Sequence, residues 1–132
     1  MDHFHYVDGE LMCEGVPAAK LAETYGTPLY VYSQASVVGT LKALQDEFAE
    51  VDPLVCYSVK ANSNLGVLKV VAEHGGGFDV VSGGELYRVG LAGGSAGQTV
   101  FAGVGKTDEE IQAGLEAGVL MFNVESEAEL DA

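Results

Sequence analysis

The feature that most limits how this chain can fold is a repeat of apolar runs separated by helix-like patterns. Runs rich in β-branched residues begin at residues 54, 78, 99 and 119, so successive starts lie 24, 21 and 20 residues apart. The predicted strands cover 54–59, 78–82, 99–103 and 119–124. The predicted helices, marked by apolar residues at helical spacing, cover 33–50, 65–75, 84–93 and 108–118. Short apolar strands alternating with helices predict right-handed βα units around a parallel sheet.

The number of repeats is too small for a closed barrel. The chain has 132 residues, whereas an eight-fold barrel typically needs about 250. We therefore predict an α/β fold: a partial (β/α)8 TIM-type barrel with about four βα units and parallel strands over 33–132, preceded by an N-terminal arm over 1–32. Because the chain stops at "ESEAELDA", just after a helix start, we expect it to be the N-terminal part of a longer protein. An open four-stranded α/β sheet is the structural alternative.

Helix boundaries are marked by short polar motifs. Three quartets fit the capping box, in which a hydroxyl caps the helix and a glutamate three residues later reaches back to the cap amide: Ser82 to Glu85, Thr107 to Glu110 and Ser126 to Glu129. Helix ends are predicted at Gly26, Gly75 and Gly118.

Charge and composition limit the partners. Twenty acidic residues against six Lys and Arg give a net charge of −14, which opposes binding to nucleic acid and to anionic membranes. The acidity fits either an ordinary soluble surface or adaptation to high salt. No signal peptide or membrane-spanning run is present, and Cys13 and Cys56 form no disulfide framework. We predict a cytoplasmic protein with no metal site, since His3 and His5 lie at a terminus.

Lys60 is the principal candidate for chemistry. It ends the apolar run "LVCYSVKANSN" at the carboxyl end of a predicted strand, where α/β folds build their sites. Strand alternation predicts that Lys60 shares a face with the small residues Ser58 and Cys56, which leave room for a ligand. Partial desolvation would favour the neutral amine that attacks carbonyl groups in Schiff-base chemistry. The alternative is a lysine that extends to solvent from a strand end.

A phosphate-loop interpretation of "GVGKT" at 103–107 fails. The motif needs a glycine at position 100, which is Val100. The segment instead predicts a strand-to-helix turn with Thr107 as the cap.

The segment "YSVKANSN" resembles the lysine motif of the fold-type III pyridoxal-phosphate (PLP) decarboxylases and racemases, which have an alanine-racemase-type barrel. "AETYGTPLYVYS", "GGGFDVVSGGEL", "VFAGVGKTDEEI" and "FNVESEAEL" follow the order and spacing typical of the diaminopimelate decarboxylases of that family. The resemblance extends over essentially the whole chain.

The resemblance implies roles for individual residues. In such enzymes the motif lysine, here Lys60, binds PLP as a Schiff base, and the cofactor withdraws electrons while the substrate carboxylate leaves. An acidic residue at the position of Asp79 lies near the cofactor end of the barrel, although Asp79 could instead accept hydrogen bonds from loop amides. Glu85 matches a family position too, although it also completes a predicted capping box. Lys60, Asp79, Ser58 and Glu85 are the candidate cofactor-binding residues.

The implied reaction is decarboxylation of meso-2,6-diaminopimelate to L-lysine and CO2 by a homodimer. The phosphate-binding loop, the pyridinium partner and the catalytic cysteine of the family are expected beyond residue 132, and the arm is expected to contact the absent C-terminal β-domain. We therefore expect residues 1–132 alone to be inactive. The alternatives are a related decarboxylase of another basic amino acid or carboxynorspermidine, a non-catalytic PLP-binding relative and, less well matched, a nucleotide-binding protein.

Overall fold

The computed structural model describes residues 3–132, which divide into two compact units at Thr40 and Leu41. The division falls within a helix, whereas the sequence places the boundary between residues 32 and 33; that boundary stays a prediction. No helix in the described range is both long and apolar enough to cross a membrane.

The first unit contains a small antiparallel sheet that the sequence analysis did not predict. Its strands are β1 (Phe4–Val7), β2 (Glu10–Cys13) and β3 (Val16–Pro17), followed by α1 (Ala18–Tyr25) and the start of α2 (Gln34–Glu47). The turn between β1 and β2 is Asp8–Gly9, and both residues have positive φ, 50° and 85°. That is the conformation of a two-residue hairpin turn, for which an Asp-Gly dipeptide is the strongest sequence signal.

The second unit confirms the predicted βα repeat. In chain order its elements are β4 (Cys56–Ser58), α3 (Leu65–Glu73), β5 (Gly77–Val80), α4 (Gly83–Leu91), β6 (Thr99–Phe101), α5 (Asp108–Ala117), β7 (Met121–Phe122) and α6 (Glu127–Asp131). The strands pair in parallel in the sequential order β4-β5-β6-β7. Four consecutive parallel strands, each followed by a helix, form the predicted partial barrel.

The strand register separates two faces of this sheet. Phe78, Val80 and Phe101 are fully buried, and Phe101 stacks on Phe122 with ring centroids 5.5 Å apart. A Cβ at Gly114 of α5 would lie 2.5 Å from the Phe122 ring, so this face packs tightly beneath the helices. The opposite face carries one residue from each strand in direct register: Ser58, Asp79, Val100 and Met121.

The helix boundaries follow the predicted motifs with two exceptions. Gly26 and Gly118 are helix C-caps, and Gly75 follows the cap of α3; all three have positive φ. Thr107 and Glu110 form the complete capping box of α5. The hydroxyls of Ser82 and Ser126 also cap α4 and α6. The predicted glutamate halves of those two boxes are wrong, because Glu85 accepts from the Val81 amide and Glu129 binds Lys106.

Glu110 joins two neighbouring helix starts. Its Oε1 accepts from the Gly83 amide of α4 at 2.8 Å, and its Oε2 accepts from the Thr107 amide at 3.1 Å. These two amides, chiefly that of Gly83, hold the pKa of the Glu110 carboxyl below its usual range, with a smaller contribution from Lys106. The carboxylate therefore fastens the N-terminus of α4 to that of α5.

Lys106 forms a buried ion pair. Its side chain is 1% exposed, and its ammonium group donates to the Gly103 carbonyl and the Asn123 carbonyl, each at 2.8 Å, and to the carboxylate of Glu129. The three ammonium hydrogens thus all have acceptors. The group also lies 6.0 Å from the centre of the Phe101 ring. Lys106 therefore ties the turn after β6 to the end of β7 and to α6.

Replacing Glu110 tests the link between the two helix starts. Because the pKa is lowered in the folded state, the carboxylate stabilises the fold above the ordinary carboxyl range, and this contribution is lost as the pH falls through the lowered pKa. Glu110→Gln is expected to reduce the free energy of unfolding at pH 7 by about 1 kcal/mol, the size of a helix cap. It should also flatten the dependence of stability on pH between about 5 and 3.

Urea unfolding at several pH values measures both effects. Glu109→Gln is the matched control, because it removes the same charge from the same helix turn without removing a side-chain hydrogen bond. An unchanged acid-side slope in Glu110→Gln would contradict the assignment.

Replacing Lys106 tests the ion pair. Lys106→Met leaves the Glu129 carboxylate and two carbonyls without their donor, so we expect a loss of about 3–5 kcal/mol. The control is Lys69→Met, in which an exposed lysine loses its 3.8 Å contact with Glu73; it should cost about 1 kcal/mol or less. Chemical unfolding compares the two, and equal losses would show that Lys106 contributes no more than a surface lysine.

Candidate functional site

The strand that leads to Lys60 is shorter than predicted. β4 ends at Ser58, and Val59–Ala61 forms a single 3-10 turn. Val59 is fully buried and Lys60 is exposed. Lys60 therefore lies in the turn after β4, where strand alternation does not set the direction of its side chain, and the shared face with Ser58 and Cys56 stays a prediction. The lysine stands just past the carboxyl end of the strand, on a turn anchored by the neighbouring valine.

The polar residues after Lys60 hold that turn and start the next helix. The Tyr57 hydroxyl donates to the Asn62 carbonyl at 3.2 Å, across the turn that carries the lysine. The Asn62 side-chain oxygen accepts from the Asn64 amide at 2.9 Å. The Asn64 side chain in turn accepts from the Gly66 amide at 2.8 Å and caps α3. The segment "KANSN" thus combines an exposed amine with the polar groups that fix its backbone.

Ser58 and Asp79 are brought into direct contact below this turn. They are register partners on β4 and β5, and the Ser58 hydroxyl donates to Asp79 Oδ2 at 3.0 Å. Both side chains are half-buried. Cys56 lies one step further down the same face, and its thiol pKa is raised by burial and, to a smaller extent, by the Asp79 carboxylate. The sequence alternative for Asp79, a bond to loop amides, is not what the structure shows.

Lys60 and Asp79 form no ion pair with each other or with another residue of the described chain. Within residues 3–132 the Lys60 ammonium has no hydrogen-bond or ion-pair partner, and Asp79 has no basic partner. A half-buried carboxylate is normally compensated by several hydrogen-bond donors or by a cation. Among residues 3–132, Asp79 has one donor, the Ser58 hydroxyl. The second oxygen of Asp79 and the Lys60 amine therefore both remain available to a ligand.

Glu85 lies at the same edge of the sheet, where β5 passes into α4. Its Oε2 accepts from the Val81 amide at 2.8 Å. Two of the first three amides of α4 are already in use, since Gly83 donates to Glu110 and Glu85 donates to Ser82. This helix start therefore offers a phosphate few free donors. Glu85 shows no direct bond to Ser58, Asp79 or Lys60.

Two features at this edge were missed by the sequence analysis. Lys106 was considered only as part of a failed phosphate loop, although it is the buried centre of a hydrogen-bond network. Its partners Asn123 and Glu129 lie 17 and 23 residues later, so no local pattern reveals them. The role of Tyr57 was not predicted, and a signal for it would have been the tight turn that Asn62 and Asn64 indicate.

Known proteins resemble this chain in sequence and in fold. A diaminopimelate decarboxylase of Neisseria meningitidis is 56% identical over 121 residues, which are 92% of this chain and 30% of that protein. The crystal structure of a diaminopimelate decarboxylase from M. jannaschii matches with a TM-score of 0.93 and 39% identity, over 98% of this chain and 31% of that one. The same enzyme in complex with L-lysine matches with a TM-score of 0.88 and 40% identity, again over 98% and 31%.

These matches cover only part of the relatives. The chain spans about 30% of the length of the curated relatives it resembles. The family model described as "Pyridoxal-dependent decarboxylase, pyridoxal binding domain" matches residues 34–132, the range that contains Lys60 and the whole parallel sheet. The chain belongs to the pyridoxal-dependent decarboxylase family, whose pyridoxal-binding domain model matches residues 34–132.

Proposed function

We propose that the protein carrying this chain is a PLP-dependent diaminopimelate decarboxylase, which converts meso-2,6-diaminopimelate to L-lysine and CO2. The observation that carries the proposal is the exposed Lys60 amine at the carboxyl end of β4, with no partner among residues 3–132. Lys60 lies two residues beyond Ser58, whose hydroxyl donates a hydrogen bond to Asp79. The substrate follows from the relatives, which carry the name diaminopimelate decarboxylase at up to 56% identity.

The residues of the site fit an aldehyde cofactor. A free primary amine on a fixed turn is the group that holds such an aldehyde covalently. When bound, PLP supplies an electron sink for the bond that breaks at the substrate. Lys60 is the proposed attachment residue. Asp79, with one oxygen free, Ser58 beneath the turn and Glu85 at the start of α4 are the proposed cofactor-binding residues.

The cofactor phosphate needs donors from outside this group. The Gly83 and Glu85 amides at the start of α4 donate to Glu110 and Ser82, and the chain has a net charge of −14. A negative field disfavours an anion unless local donors hold it. We propose that part of the protein outside the described residues binds the phosphate.

The substrate class is supported by the same relatives. The M. jannaschii enzyme has been solved with L-lysine, which supports an amino acid as the substrate class. A homodimer located in the cytoplasm, with neither a nucleic acid nor a membrane as partner, completes the proposal. The strong negative charge supports the absence of nucleic-acid and membrane partners.

Lysine labelling tests the attachment residue. After addition of PLP and reduction with borohydride, the protein is expected to carry a stable adduct on Lys60, located by peptide mass mapping. Lys60→Ala should abolish the adduct. Lys69→Ala is the matched control, because it removes an exposed lysine of the next helix, and it should label as the unsubstituted protein does. Retention of the adduct in Lys60→Ala would refute the assignment.

A turnover measurement tests whether residues 1–132 are active without the rest of the protein. We expect residues 1–132, expressed alone with PLP, to release no CO2 from meso-diaminopimelate, since they match about 30% of each relative. Release of labelled CO2 from the carboxyl-labelled substrate measures this, with a complete relative as the positive control. Clear turnover by the 132 residues would contradict the expectation.

A further inference from the structure

We infer that Ser58 is a positioning residue that aims the Asp79 carboxylate at the cofactor held by Lys60. The inference rests on the proposed function and gives Ser58, one of the proposed cofactor-binding residues, a role that acts through Asp79. It starts from the 3.0 Å hydrogen bond between the Ser58 hydroxyl and Asp79 Oδ2.

The strand register gives this bond its geometry. Ser58 and Asp79 are direct partners in the β4–β5 ladder, so their side chains leave the sheet on the same face, side by side. The hydroxyl occupies one carboxylate oxygen and so restricts rotation of the Asp79 side chain. The other oxygen remains free for a donor above the sheet.

No other charged group among residues 3–132 holds Asp79. Its side chain makes no ion pair; its register partner on β6 is the apolar Val100, and Cys56 on this face is a weak donor. The carboxylate is half-buried, and a half-buried anion with a single donor depends strongly on that donor. Removing the hydroxyl would therefore change the direction and the hydrogen bonding of Asp79 more than it changes the packing.

Lys60 lies close enough in the chain to share the ligand. β4 ends at Ser58 and the turn that follows places Lys60 two residues later, at the same edge of the sheet. A cofactor attached to the lysine would thus be held over the end of β4. The Ser58–Asp79 bond presents an acceptor of fixed direction beneath it.

Cofactor titration tests the role. In the protein that carries this chain, Ser58→Ala is expected to raise the dissociation constant for PLP about tenfold, the effect of losing a hydrogen bond to a charged group. Ser58→Thr keeps the hydroxyl and should restore most of the affinity. Cys56→Ala, on the same face, removes no hydrogen bond to Asp79 and should leave the affinity unchanged.

A double substitution separates positioning from a purely structural effect. In an Asp79→Ala background, Ser58→Ala should cause no further loss of affinity, because the group that it positions is gone. An equal loss in both backgrounds, or wild-type affinity in Ser58→Ala, would overturn the inference.

Borohydride labelling of Lys60 distinguishes a failure of this inference from a failure of the proposed function. Labelling of the unsubstituted protein, together with unchanged affinity in Ser58→Ala, would refute the role of Ser58 and leave the proposed function standing. Absence of the Lys60 adduct in the unsubstituted protein would overturn both.

Discussion

Parallel pairing of β4 with β5 is the constraint on which the candidate site depends. The pairing places Ser58 opposite Asp79 and then stops, since Val59 turns into the core and begins a 3-10 turn. The burial of Val59 and the bond from Tyr57 to Asn62 end the strand at this point. The position of the amine is thus a consequence of strand termination and not of strand alternation.

Glutamates placed three residues after a Ser or Thr serve different purposes along this edge. Glu110 completes its own capping box and also reaches α4, so one carboxylate stabilises two helix starts. Glu85 bonds to the end of β5, and Glu129 forms the ion pair with Lys106. In each quartet the hydroxyl caps its own helix, whereas the donor to the glutamate differs from one quartet to the next. Carboxylates therefore connect the successive βα units at the edge where the candidate site lies.

The repeat of strands and helices was predictable because it depends on local period and composition. Strand lengths were overestimated because a buried turn residue such as Val59 has the same apolar character as a strand residue. The antiparallel sheet of the first unit was missed because its strands are short and largely exposed, although Asp8–Gly9 marks its hairpin. The bonds from Ser58 to Asp79 and from Lys106 to Glu129 depend on register and on distant segments. The periodicity of the sequence cannot specify either of these two bonds.

The contrast between Lys60 and Lys106 explains how one sheet edge can use a lysine in two ways. Lys106 is buried, and each of its hydrogens has an acceptor, so its charge is compensated and its position is fixed. An amine so fully bonded cannot attack a carbonyl without breaking that network. Lys60 is exposed and has no such partner in the described chain, while its backbone is held by the neighbouring turn. Covalent attachment of a cofactor needs this second combination, a fixed backbone with a free amine. The number of acceptors around each lysine therefore separates Lys106, which is bound into the fold, from Lys60, whose amine is free for the proposed attachment.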